Sequence, residues 1–318
     1  MTRPLDYPTW TEDLAVELRS LPITHLELVT KGRRHYCINH GTGDTSIRVA
    51  YLDSPSAIVS ATEAKDGLVW WSAGLAADYL LDNIGKILAS AERITEYGAG
   101  IFQTFDVELS THKRKEWYTQ ARKRHDEIKK EAGTLGSRVH AYIESALHAI
   151  INGDEAPPLE GDIDERITAG VEAFRAWWSS SSFHPIGVEV PVAHTHLGYA
   201  GTIDVLAINA NGEYVIVDWK TSKSLHGSYL RQIGAYSLAH HVMHSPDQVT
   251  SAYLVRLGKE GDDAGSFEAV HLDAWDLAEA EQAFVSSLAL YRYTKHAEAM
   301  LNDHTRTIYP AIRKESAP

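Results

Sequence analysis

Three ionisable side chains, Asp204, Asp218 and Lys220, can be brought together by strand geometry alone. The segment Gly198 to Lys223 (GYAGTIDVLAINANGEYVIVDWKTSK) reads as two strands joined at the turn signal Ala210-Asn211-Gly212. A loop centred on Asn211 sets Asp204 opposite Asp218, and strand alternation turns Asp218 and Lys220 to one face with Trp219 on the other. A tight turn at His196-Leu197 carries the register one strand further and sets Glu189 beside Asp204, unless a bulge shifts it. Elsewhere these strands are apolar on both faces (Ile203, Val205, Leu206; Val215, Ile216, Val217), a setting in which an uncompensated carboxylate is costly. The simplest compensation is a bound divalent cation. Hard carboxylate oxygens suit Mg2+ or Mn2+, and the Lys220 amine can bind or polarise a negatively charged reacting group. Two acids and a lysine taken alone would read as a salt-bridge cluster; I-D followed by D-x-K on the next strand is far more restrictive.

Upstream, Gly136, His140 and Glu144 recur every four residues in a helical stretch, which puts His140 on a face it can share with a metal site. Glu144 is either a supporting neighbour of that site or a solvated carboxylate, and Glu189 is either a metal-site neighbour or a structural acid. The stretch Lys113 to Lys130 (KRKEWYTQARKRHDEIKK) is locally basic, with Arg122, Lys123 and Arg124 at its centre and Trp117 and Tyr118 available to stack on bases. His240 and His244 sit one helical turn apart, but no H-E-x-x-H glutamate accompanies them, and the expectation is an exposed histidine cluster.

The 30 Lys+Arg against 43 Asp+Glu give a net charge of −13, so nucleic-acid binding over a general basic surface is excluded and any such contact must be local. The single Cys37 excludes a disulfide framework, a cysteine-rich zinc module and a four-thiolate iron–sulfur cluster. Asp6, Glu12 and Asp13 occupy the place where a signal peptide needs an apolar run, and no uncharged stretch approaches membrane-spanning length. The expectation is a cytoplasmic protein with no membrane partner.

The elements that must position these residues follow from periodicity. Helices are expected over 67–89, with Ser60 and Glu63 as a capping box before it, then over 113–131, 135–151, 164–178, 227–243 and 275–300. Strands are expected over 186–194, 199–208, 213–220, 249–257 and 266–272, and short β-like runs such as 46–51 occur in the first sixty residues. The implied organisation is a mainly helical N-terminal region over 1–112, a core over 113–300 and a tail over 301–318.

Gly201-Thr202-Ile203-Asp204, Val217-Asp218-Trp219-Lys220-Thr221-Ser222, Gln232-Ile233-Gly234-Ala235-Tyr236 and the upstream Gly136-x-x-x-His140 together resemble the RecB-like branch of the PD-(D/E)XK nucleases, over roughly 115–295. The resemblance implies an α/β restriction-endonuclease-like core, a central mixed sheet flanked by helices, with a helical N-terminal portion. It implies that Asp204 and Asp218 hold Mg2+ or Mn2+ with the backbone carbonyl of Trp219 and with His140, whose imidazole favours Mn2+. It further implies that Lys220 serves catalysis, that Gln232 and Tyr236 contact nucleic acid, and that the product carries a 5′-phosphate. Exonuclease action on DNA ends or single strands in replication, recombination or repair is the implied activity, with a recombination or single-strand annealing protein as a possible partner class. An endonuclease within a larger assembly and a catalytically silent DNA-binding scaffold are the alternatives. The iron–sulfur members of that branch need four cysteines, so no cluster is expected here.

Overall fold

The computed structural model describes residues 25–30, 34–40, 47–63, 66–99, 102–159, 163–244 and 248–303. Strands β1 (His25–Thr30), β2 (Arg34–His40) and β3 (Ile47–Leu52) form a small antiparallel sheet. Helices α1 (Pro55–Thr62), α2 (Asp66–Asp82) and α3 (Ile84–Ala89) follow, then a hairpin of β4 (Arg93–Ala99) and β5 (Phe102–Glu108). The N-terminal portion therefore mixes helices with two small sheets, and the hairpin had no counterpart in the sequence expectation. The expected capping box is also displaced. Ser54 Oγ accepts from Ala57 N at 3.2 Å with Pro55 opening α1, whereas Ser60 lies inside α1 and Glu63 just past its end. Asn83 divides the helix expected over 67–89 into α2 and α3.

The core begins with α4 (Thr111–Asn152), a single helix of 42 residues where two were expected. Its start is capped by Ser110 Oγ, 3.3 Å from Lys113 N. Its end is closed by Gly153 at φ 79°, with Asp154 N donating to Ala149 O at 2.8 Å. Between 131 and 135 the sequence supplies neither proline nor cap, and Gly133 faces open space, so its cost of about 1 kcal/mol against alanine is tolerated and the helix continues. Lys259 Nζ donates to Ala132 O at 3.3 Å beside that point.

After α5 (Glu165–Ser180) come β6 (His184–His194), β7 (Tyr199–Ile208), β8 (Tyr214–Lys220), α6 (Gly227–Met243), β9 (Val249–Leu257), β10 (Phe267–Leu272) and α7 (Ala274–Asp303). The last helix, α7, ends at Asp303, three residues past the expected 300; the rest of the tail expected over 301–318 lies outside the described residues. The central sheet runs β10-β9-β8-β7-β6; only the β8–β9 pair is parallel, as the α6 crossover requires. Asn209 Oδ1 accepts from Asn211 N at 2.9 Å and from Glu213 N at 3.0 Å, and Gly212 at φ 80° completes the β7–β8 turn. The resulting pairs, Ile208 with Tyr214 through Val205 with Val217, have the register expected from a loop centred on Asn211. The β6–β7 pairs Val188 with Val205 and Val190 with Ile203 likewise follow from the His196-Leu197 turn, with a bulge only near Ile186.

Each face of the sheet is covered. On one side Ile58, Ile233, Tyr236, Leu277 and Phe284 from α1, α6 and α7 pack on Ile216 and Leu254. On the other, Val139, Leu147, Phe174 and Trp177 from α4 and α5 pack on Val205, Val217, Trp219 and Val255. The α6–α7 crossing depends on Gly234, where a Cβ would sit 2.4 Å from the Ala280 backbone carbon. No described helix is long and apolar enough to cross a membrane.

Candidate active site

The site forms at the end of β8, and Trp219 anchors it. Its buried indole meets Trp177 edge-on at a centroid distance of 5.1 Å and Phe174 at 5.4 Å, which locks the strand against α5. Alternation then sends Asp218 and Lys220 to the opposite face. Asp218 is 1 % exposed, and neither carboxylate oxygen has a hydrogen bond of acceptable geometry, although Lys220 Nζ lies 2.5 Å from Oδ2. Burial pushes the Asp218 carboxyl up to about 7; Lys220 opposes that rise, while Asp204 and Glu189 reinforce it. For Lys220, burial alone would depress the ammonium, but Asp218 and Asp204 outweigh it and the net shift is upward. The same amine lies 5.0 Å from the Tyr229 ring centroid.

Asp204 sits where the β7–β8 ladder stops. Beyond the Val205–Val217 pair its Oδ2 takes over as acceptor for Trp219 N at 2.9 Å, so a side chain completes the hydrogen bonding of the neighbouring strand. Glu189, across on β6, has φ 48°, the only non-glycine residue with positive φ among those described. No pair joins 189 to 204 between the flanking pairs at 188 and 190, so the ladder opens at the position where these acids meet.

His140 comes from α4. Its Nδ1 lies 3.8 Å from Asp204 Oδ2, and His140, Glu189 and Asp204 each offer a donor atom within 4.8 Å of the others. Gly136, one turn earlier, makes this approach possible, since a Cβ there would lie 2.6 Å from Thr221 Oγ1 at the end of β8. Gly136→Ala is therefore expected to cost about 1–3 kcal/mol and to weaken metal uptake. Because the Thr221 Cβ would remain at an ordinary 3.8 Å, adding Thr221→Ala should restore most of both, a coupling that paired denaturation and calorimetry would read.

The three donors are a mixed nitrogen and oxygen set beside a buried, poorly hydrogen-bonded carboxylate, which fits a divalent cation. Of the expected metal residues, His140 and Asp204 fall within this set and Glu189 joins them, whereas Asp218 lies outside it, held by Lys220. Glu144 is exposed and also lies outside it. Tyr236 is 6 % exposed within the core; a Cβ at Gly201 would lie 2.6 Å from its ring, and Gln232 Nε2 donates to its hydroxyl at 2.6 Å. The tyrosine thus packs behind β7 rather than on the surface. Arg122, Lys123 and Arg124 are exposed, roughly 25 Å along α4 from His140 at 1.5 Å per residue. Arg124 pairs with Glu127 at 3.2 Å. His240, expected on an exposed face, is 1 % exposed, because its side of α6 packs on the sheet; its ring lies 4.7 Å from that of His244.

Register alone set Glu189 beside Asp204, but the left-handed backbone that presents it is a conformation that composition does not encode. The roles of Gly136, Gly201 and Gly234 as close-approach residues were equally hidden, although all three lie inside the motifs.

A family model described as PD-(D/E)XK nuclease superfamily matches residues 114–309. No curated protein matches the chain. Among solved structures, the alkaline exonuclease LHK-Exo from Laribacter hongkongensis is similar at 13 % identity, covering 51 % of this chain and 85 % of its own, with a TM-score of 0.27. LHK-Exo in complex with dAMP is similar at 17 % identity, with the same 51 % and 85 % coverage and a TM-score of 0.27.

Proposed function

The chain belongs to the PD-(D/E)XK nuclease superfamily, and from that premise we propose that it is a metal-dependent DNA exonuclease that hydrolyses phosphodiester bonds at ends or in single strands. The observation that carries this reading is the gathering of His140, Glu189 and Asp204 donors within 4.8 Å beside the buried Asp218–Lys220 pair. His140, Glu189 and Asp204 would hold Mg2+ or Mn2+, with Asp218 and the Trp219 carbonyl completing the site. A bound ion of this kind supplies Lewis acidity and offsets charge developing on the phosphate.

The chain's own residues supply orientation and charge. Lys220, kept protonated by Asp218 and Asp204, presents a fixed positive charge toward the scissile phosphate and the attacking water. Trp219 N–H holds Asp204 in one orientation. Water adds to phosphorus, the P–O3′ bond breaks, and the products are a 3′-hydroxyl and a 5′-phosphate.

The test pairs calorimetric titration with Mn2+ against incubation of end-labelled linear and closed circular single-stranded DNA, with and without the ion. Saturable uptake with cleavage of the linear form alone is expected. Cleavage of circles would replace this reading with an endonuclease, and absence of any metal-dependent product would leave a silent DNA-binding protein.

A further inference from the structure

On α4, Lys115, Tyr118, Arg122 and Lys129 recur at spacings of three, four and seven residues. His140 follows Arg122 by about five turns at 3.6 residues per turn, so these side chains project within about 40° of its direction. All four are exposed, Tyr118 at 57 %. The opposite side of this helical arm is taken up by protein: Tyr79 Oη donates to Gln120 at 2.8 Å and Trp117 Nε1 to Ser90 Oγ at 3.3 Å.

Charge is sorted in the same way. Lys113 pairs with Glu116 at 3.1 Å and Arg124 with Glu127 at 3.2 Å, away from the His140 direction. Among the described residues, Lys115, Arg122 and Lys129 enter no ion pair. Asp126, on the same face between Arg122 and Lys129, is held by His125 at 3.1 Å. In a chain of net charge −13, the helix face in the His140 direction thus carries cations about 10 Å apart, with an aromatic ring between two of them, flanked by the exposed Arg114, Lys123 and Lys130.

We propose that this face of α4 guides one strand of single-stranded DNA to the site, with phosphates on Lys115, Arg122 and Lys129 and an unpaired base stacked on Tyr118. The proposal rests on the nuclease reading above and adds the strand type and its path. Cations spaced along one helix face track one backbone, and the ring can stack only on a base released from its partner. Tyr118 lies roughly 33 Å along the helix from His140, about ten nucleotides at 3.4 Å each, so strands shorter than this reach one end only.

The test measures anisotropy of the full chain in EDTA, so that binding is read without cleavage. It uses a labelled oligothymidylate of about twenty nucleotides and a duplex of about twenty base pairs. Arg122→Glu is expected to weaken the single strand roughly tenfold or more and to flatten its salt dependence; Tyr118→Ala should cost roughly tenfold. Lys113→Glu, the same charge reversal on the opposite side, should change binding less than about twofold. Equal losses for Arg122→Glu and Lys113→Glu, or duplex bound as tightly through the same residues, would each overturn the proposal. A wild-type chain that binds in this pattern but cuts nothing with Mn2+ would remove the nuclease reading and leave the strand path standing; cleavage with unaffected stripe variants would do the reverse.

Discussion

Asp204→Asn is expected to lower metal-dependent DNA cleavage by about 1,000-fold or more while leaving the fold in place, since several kcal/mol of transition-state stabilisation attach to such an ion. Asparagine is the informative substitution because its side-chain oxygen still accepts from Trp219 N–H, the bond that ends the β7–β8 ladder at 2.9 Å. Alanine would remove that acceptor as well and confuse a scaffold defect with a chemical one. The charge is what changes: a neutral amide beside His140 and Glu189 should abolish calorimetric Mn2+ uptake while thermal unfolding in EDTA stays near wild type. Single-turnover rates at saturating Mn2+ give the decisive number, and a variant within tenfold of wild type would show that Asp204 does not hold the ion.

Lys220→Met should reduce turnover by at least about 100-fold through loss of a positioned positive charge, and it should also carry a pH-dependent cost in stability. Beyond the catalytic role that the resemblance implies, Lys220 is the cation 2.5 Å from a fully buried carboxylate. The sign follows from the upward shift of Asp218. Its carboxyl ionises near 3.8 when unfolded but near 7 when folded, so it lowers stability progressively as pH rises between those values and by a constant amount above them. Without Lys220 the folded value moves higher still. Wild type and variant should therefore show parallel pH dependence below about 7 and diverge above it by up to about 1.4 kcal/mol per pH unit. Below about 7, where Asp218 is largely neutral, the variant should match or exceed wild type, since a buried ammonium has been removed. Urea denaturation at pH 5.5 and 8.5 tests this, and a difference of the same size at both would show that the pair is not coupled as described.

The sheet was legible because its information is local. The Asn211 turn, strand alternation and the His196-Leu197 turn fixed two registers without reference to anything distant, and both appear as expected. The ends of α6 and β9 were equally clear, bounded by turn residues. Legibility failed where tertiary packing overrides local preference. Two helices were expected, over 113–131 and 135–151, but α4 runs unbroken through Gly133, and the basic stretch is thereby continuous with the helix carrying His140. Tyr236 looked like a surface reader of nucleic acid because its motif lies beside the site, yet the missing Cβ of Gly201 creates the space that buries it. Glu189 could be placed beside Asp204 by register arithmetic, but nothing in its neighbours announced a left-handed backbone.

That backbone conformation has a thermodynamic consequence. An L-residue held in the left-handed region costs on the order of 1–3 kcal/mol, which the pairs of β6 with β7 on either side of Glu189 offset during folding. The backbone thus stores strain, like a set spring, at the position that presents the Glu189 carboxylate.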